Sequence, residues 1–266
     1  MFVGSPSSGS SEAIIPPMSR LSSPRKTRDL ALCAWMLAGL TLCTGFIAPT
    51  ARRSVVTMRR QAFAALSWQS VADREGVQFV GGFVKPQDLP KLNLPEICLA
   101  GRSNVGKSSA LNTLSGRRKK VAVVSKSPGR TRMLNAFRVG SVCTLVDLPG
   151  YGYAKVSQQM QDDWRRSIEL YLKKREQLRL AILFVDAQRE PQEADAQLLE
   201  FLEYYELATL VVGTKVDKLS SAQRDRSLGV LREQLELPED QPIGFSSTTG
   251  VGKAEVWKYI ERACKK

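Results

Sequence analysis

Four short stretches carry residue types that can do chemistry together. The first is Gly101-Arg102-Ser103-Asn104-Val105-Gly106-Lys107-Ser108, with Ser109 behind it. Gly, four residues, then Gly-Lys-Ser is the spacing of a phosphate-binding loop. Glycines let the backbone bend tightly, and the successive N–H groups with a helix N-terminus make an anion cradle. Lys107 would reach the β and γ phosphates, and the Ser108 hydroxyl would hold Mg²⁺. The second stretch is Asp147-Leu148-Pro149-Gly150. An Asp closing an apolar strand is where a Mg²⁺-orienting carboxylate is needed, and the Gly150 N–H could contact a γ-phosphate.

The third stretch is Thr214-Lys215-Val216-Asp217. A carboxylate can accept two hydrogen bonds from the N1–H and N2–H₂ edge of guanine, which adenine does not offer. A site that must satisfy such a buried group can reject the wrong partner by a factor on the order of 10⁴. The Lys215 stem can lie over the base. The fourth is Phe245-Ser246-Ser247, whose backbone N–H groups could reach guanine O6. Between the first two lies Ser127-Pro128-Gly129-Arg130-Thr131-Arg132, a loop by its Pro and Gly. Thr131 there could give Mg²⁺ a second hydroxyl and sense the γ-phosphate.

These loops must be held by strands and helices, and the hydrophobic pattern supplies both. Ile97–Ala100 is a short apolar run before the phosphate loop, and a helix follows it. Residues 133–139 and 141–148 predict two strands about a Gly140 turn. Residues 180–186 and 209–213 are continuous apolar runs, as buried parallel strands are. Residues 158–177, 193–205, 220–235 and 252–266 predict helices, and 242–245 a last short strand. Trp164, Ile168, Tyr171 and Leu172 recur at helical spacing and predict a core stripe. Arg165, Arg166, Lys173, Lys174 and Arg175 fall between them, a solvated or RNA-facing set. The expected fold is α/β, a mostly parallel six-stranded sheet with helices on both faces. All four loops then sit at the carboxyl ends of strands, where open α/β sheets bind ligands. The four together predict a guanine-nucleotide-binding domain.

The chain of 266 residues is long enough for one such domain plus extensions. Its net charge of +13 divides between a leader and the folded body, so an anionic partner, with RNA foremost, is expected. The five cysteines are widely spaced, and Cys98 and Cys143 fall in apolar strands, which argues for a reducing compartment. The absence of histidine excludes His-based triads, His metal sites and His general bases.

Residues 1–70 predict a targeting leader. Residues 4–24 are Ser-, Pro- and Gly-rich, a disordered composition. Residues 25–49 are signal-like, a positive flank before the uncharged run from Leu30 to Pro49, and residues 50–70 carry Arg, Ser and Thr without acid, as transit peptides do. The junction Gly45-Phe46-Ile47-Ala48-Pro49 resembles the Phe-x-x-Pro junction in plastid leaders of algae with complex plastids. A plastid is therefore the expected location, with a mitochondrion the alternative. No stable membrane association is expected after leader removal. Retained, the apolar run would make a membrane-anchored GTPase receptor. Residues 71–95 are expected to be a connector and 96–266 the nucleotide-binding domain.

The wording of these motifs, above all Leu148-Pro149-Gly150-Tyr151-Gly152-Tyr153-Ala154-Lys155, resembles the EngB family of bacterial and organellar GTPases over about residues 77 to 262. The resemblance implies a Ras-like P-loop fold, Mg²⁺-dependent GTP binding and slow GTP hydrolysis. It implies a role in assembling the large ribosomal subunit, so rRNA as partner, and the family is also described in terms of cell division and septation. By resemblance Lys107, Thr131 and Gly150 would be the catalytic set. Ser108 and Thr131 would be the Mg²⁺ ligands, with Asp147 behind them. Asn104 sits where related GTPases bind K⁺. Gly129 and Arg130 would join the nucleotide site. Ala110 and Arg132 depart from the family's usual Leu and Gln. Tyr151 stands where Ras-type GTPases place a water-orienting Gln.

Overall fold

A strand covered on both faces needs apolar residues at every position, and Ile97–Ala100 and Leu180–Val185 have them. In the computed structural model, which describes residues 67–116, 133–151 and 158–265, both lie at the centre of one sheet. The strands are β1 (Val77–Phe83), β2 (Glu96–Gly101), β3 (Leu134–Val139), β4 (Cys143–Asp147), β5 (Leu178–Asp186), β6 (Thr209–Thr214) and β7 (Ile243–Gly244). The helices are α1 (Trp68–Glu75), α2 (Lys107–Leu114), α3 (Gln158–Lys174), α4 (Glu193–Tyr204), α5 (Ser221–Gln234) and α6 (Lys253–Cys264). The sheet order is β1-β3-β4-β2-β5-β6-β7. β3 pairs antiparallel with both β1 and β4, and the other neighbours are parallel. β3 is thus the one strand of the seven that runs against the rest.

Successive side chains of the central strands enter different cores. Ile97, Leu99, Leu180, Ile182 and Phe184 pack with Leu111 and Leu114 of α2 and Trp257 and Ile260 of α6. Cys98, Ala100, Ala181, Leu183 and Val185 pack with Ile168 and Tyr171 of α3, Leu199 and Leu202 of α4 and Leu231 of α5. The period of two is preserved although every position is apolar, because both faces are covered by helices. The core stripe expected on α3 is present: Ile168 and Tyr171 are buried, with Trp164 and Leu172 packed beside them.

Two expectations are corrected. Among the described residues the sheet has seven strands, not six, and residues 71–95, expected to be a connector, are built into the fold. They hold most of α1 and all of β1. α1 is capped by Ser67, whose side chain accepts from the Ser70 N–H. It docks on α6 through Lys253 Nζ to Asp73 Oδ1 at 2.7 Å and the Trp68 N–H to Glu261 Oε2 at 3.3 Å. β1 escaped the pattern because it is an edge strand. Phe79 is half exposed, Gly81 and Gly82 break the alternation, and the register slips between Phe79 and Gly81.

Candidate nucleotide site

β2, β4, β6 and β7 run parallel, so their carboxyl ends share one edge of the sheet, and the four chemistry-bearing loops leave from there. β2 ends at Gly101 and α2 begins at Lys107, so the phosphate loop is the tight link between them. Gly106 is the residue before α2, with φ 105°, a conformation that only glycine adopts without strain. Among the described residues no side chain caps that helix end, the arrangement in which its first N–H groups can serve an anion. Asn104 forms the exposed corner at φ 64°, a left-handed turn that Asn tolerates. Ser108 and Ser109 lie in the first turn of α2. Lys107 Nζ lies 2.5 Å from Asp147 Oδ1, and both side chains are nearly buried.

Asp147 closes β4, and the Leu148 N–H still bonds to the Leu99 carbonyl at 3.0 Å. The chain then turns back onto the phosphate loop. The Ser103 N–H donates to the Tyr151 carbonyl at 3.3 Å, and Arg102 bridges Tyr151 in parallel register. Gly150 comes so close that an added Cβ would meet the Ser103 nitrogen at 3.2 Å. Trp164 Nε1 of α3 donates to the Pro149 carbonyl at 3.1 Å. The Tyr151 hydroxyl donates to Asp195 Oδ1 at 2.7 Å. Burial first, then the Asp195 charge, pushes the Tyr151 phenol well above its ordinary range, opposed only by Arg102. It is therefore a fixed donor.

The base-reading end is equally tied. Thr214 Oγ1 lies 2.5 Å from the Val105 carbonyl and 3.1 Å from that of Val185, so it staples the phosphate loop to β5 and β6. Lys215 is left-handed at φ 62°, and its Nζ holds Asp186 Oδ2 at 2.6 Å. Val216 is buried beneath. Ser246 Oγ donates to Asp217 Oδ1 at 2.7 Å and accepts from the N–H groups of Thr248 at 3.2 Å and Thr249 at 3.1 Å. The clamp fixes the orientation of the Asp217 carboxylate. Phe245 is fully buried, and Thr113 Oγ1 of α2 reaches the Ser247 carbonyl at 3.1 Å.

The structure therefore brings Gly101 to Ser109, Asp147 to Gly150, Thr214 to Asp217 and Phe245 to Ser247 to one edge. Gly129, Arg130 and Thr131, residues 152–157, the basic turn after Gly116 and the leader up to residue 66 lie outside the described residues, while residues 67–70, expected as its end, cap and begin α1. Sequence reading missed Thr113, Asp186 and Asp195 as supports of the site. Asp195 had a visible signal, since it stands three residues after Gln192 at the start of α4, the spacing of a capping pair. Ser108 and Asp147 offer hard oxygen donors, the type Mg²⁺ takes. Among the described residues no group of three or more His, Cys, Asp or Glu is gathered. One hydroxyl with one carboxylate suits an ion that shares its remaining positions with phosphate oxygens and water.

Residues 96–215 match the family described as "50S ribosome-binding GTPase". A "Probable GTP-binding protein EngB" of Ligilactobacillus salivarius is 48% identical over 183 residues, 68% of this chain and 93% of that one. Its counterpart in Pelotomaculum thermopropionicum is 46% identical over 189 residues, 71% of this chain and 95% of that one. A crystal structure of a probable GTP-binding protein engB aligns with TM-score 0.53 and 25% identity, covering 64% of this chain and 98% of that chain. Aquifex aeolicus Era bound to GDP·AlF₄⁻ aligns with TM-score 0.52 and 22% identity, over 64% of this chain and 56% of that one, a likeness of fold alone.

Proposed function

The chain belongs to the EngB family of GTP-binding proteins, and from that premise we propose that it is a Mg²⁺-dependent GTPase acting as a GTP-switched factor in assembly of the large ribosomal subunit. It has the Ras-like P-loop fold, binds GTP and GDP, and hydrolyses GTP. The observation that carries the nucleotide reading is the clamped carboxylate of Asp217, held by Ser246 at the same sheet edge as Lys107 and Asp147. In the bound state Ser108 would hold Mg²⁺, with Asp147 behind it and Thr131 as the second hydroxyl. Gly129 and Arg130 would flank the nucleotide. Mg²⁺ supplies charge neutralisation at the β and γ phosphates.

Intrinsic hydrolysis is slow in this reading. The residue after Gly150 is Tyr151, its hydroxyl is engaged by Asp195, and the chain has no histidine. A partner or a K⁺ ion at Asn104 would supply what is missing. Equal rates in KCl and NaCl with ribosomal subunits present would remove the K⁺ role.

The assembly role is supported by the 50S-binding description of the matched family and by the charge of +13. The leader composition supports action in a plastid, and the mass of the mature protein tests that address. The deciding experiment is co-sedimentation of the chain with bacterial-type large subunits, in a non-hydrolysable GTP analogue and in GDP, with Asp217→Asn as control. Binding in the GTP-like state alone, lost in the control, is expected. No binding in either state, despite tight GTP binding in solution, would move the weight to a membrane or protein partner.

A further inference from the structure

The loop that would meet a γ-phosphate is braced from outside the nucleotide site. Gly150 has a fixed neighbour on each side. Before it, the Pro149 carbonyl is held by Trp164 Nε1 of α3 at 3.1 Å. After it, Tyr151 is 9% exposed, lies across Trp164 with ring centroids 6.0 Å apart, and gives its hydroxyl to Asp195. Asp195 is itself 2% exposed. Its Oδ2 accepts the Gln192 N–H at 2.9 Å, and its own N–H reaches the Gln192 carbonyl at 2.7 Å. That capping box fixes Asp195 to the start of α4, whose Leu198, Leu199 and Leu202 are packed in the core. On the other side, Arg102 of the phosphate loop bridges Tyr151, and its Nε is buried without a hydrogen-bond partner among the described residues.

We propose that Tyr151 and Asp195 are positioning residues: their hydrogen bond ties the Gly150 loop to α4 and sets the Gly150 N–H where a nucleoside triphosphate, but not a diphosphate, can use it. The inference rests on the GTP-binding reading above. A phenol held by a buried carboxylate has one favoured geometry, because a loop that swung away would leave Asp195 charged, buried and short of a donor. In the GTP-binding reading the Gly150 N–H serves the γ-phosphate, so a loop kept in place benefits the triphosphate. The bond therefore acts on the difference between the two nucleotides. A bond that merely held the fold together would weaken both alike.

The test is the affinity of the full chain for a non-hydrolysable GTP analogue and for GDP, in wild type, Tyr151→Phe, Asp195→Asn and the double variant. Tyr151→Phe keeps the ring against Trp164 and removes only the hydroxyl. Asp195→Asn keeps the volume but leaves one acceptor for two donors. The analogue is expected to bind about 3- to 10-fold more weakly in each variant, the size of one lost hydrogen bond. GDP should stay within about twofold, and the double variant should lose no more than a single one. Equal loss for both nucleotides, or no loss for either, would overturn the proposal. So would additive losses, which would show that the two residues act apart. Failure of wild type to bind GDP would instead bring down the GTP-binding reading itself. If one single variant unfolds, the other carries the comparison.

Discussion

The ammonium of Lys107 lies 2.5 Å from a carboxylate oxygen of Asp147, forty residues away in the chain. Both side chains are at least nine-tenths buried. The pair joins the first turn of α2 to the end of β4. With a nucleotide bound, Lys107 would turn to phosphate oxygen, which would free the Asp147 carboxylate to support Mg²⁺. Lys107→Ala should weaken GTP and GDP alike, on the order of 10- to 100-fold, as expected for one charge-assisted contact. Calorimetric titration of both nucleotides checks this. Undiminished affinity would mean that the cradle works through backbone N–H groups alone.

The clamp on Asp217 predicts a separable effect on base selection. Ser246→Ala leaves the Thr248 and Thr249 N–H groups without their acceptor and frees the carboxylate to rotate. GDP and GTP should weaken together, by about 3- to 10-fold. Asp217→Asn removes one of the two acceptors that guanine needs and presents a donor to a donor. Its affinity for guanine nucleotides should fall by a factor on the order of 10² or more, while xanthine nucleotides gain. Competition binding with the two bases decides it. Retained guanine preference in Asp217→Asn would place recognition elsewhere.

The line between what sequence showed and what it hid falls where periodicity ends. The apolar runs at Ile97, Leu180 and Thr209 announced buried strands, and the loops after them carried their residue types in plain order. β1 gave no such signal, because Phe79 faces solvent and two glycines stand in the strand. The supports of the site were hidden for a different reason. Tyr151 and Asp195 are forty-four residues apart, and only the packing of α4 on the sheet brings them together. Likewise Asp186 becomes a partner of Lys215 only because β5 and β6 are neighbours in register, Asp186 beside Thr214.

A second buried pair, at the opposite end of β2, governs stability rather than binding. Arg175 binds both oxygens of Glu96, with Nε to Oε1 at 3.1 Å and NH2 to Oε2, and also donates to the carbonyls of Leu89 and Pro90. The Tyr171 hydroxyl completes the set at 2.7 Å from Glu96 Oε1. Arg175 was expected on the solvated or RNA-facing surface of its helix. It is 8% exposed, because four acceptors await it inside. Arg175→Met leaves the Glu96 charge buried with Tyr171 as its remaining side-chain partner among these contacts. A cost of about 3–5 kcal/mol is expected. Urea unfolding of Arg175→Met and of Glu96→Gln/Arg175→Met checks it, the double variant recovering much of the loss. A single variant within about 1 kcal/mol of wild type would mean the pair is solvated in solution.

Buried thiols give the fold an alkaline limit. Cys98 and Cys143 are fully buried in β2 and β4. Burial pushes both thiols up from 9.0, helped at Cys98 by the neighbouring Glu96 charge. Burial likewise pushes the Cys264 thiol up to about 11. In the unfolded chain these groups lose their protons near the ordinary value, while in the fold they keep them. A raised folded value means the contribution to stability is fully present below the unfolded pKa and is lost as pH rises toward the folded one. Stability should therefore hold to about pH 9 and decline beyond it, by about 1.4 kcal/mol per pH unit for each fully buried thiol. Urea midpoints measured from neutral pH upward test this, with Cys98→Ala as comparison. The variant starts lower, because a small void opens in the core, but its decline above pH 9 should be shallower by one thiol's share. Parallel declines in the two proteins would assign the alkaline loss to lysines and tyrosines instead, and would mean that the strand opens enough for Cys98 to ionise in place.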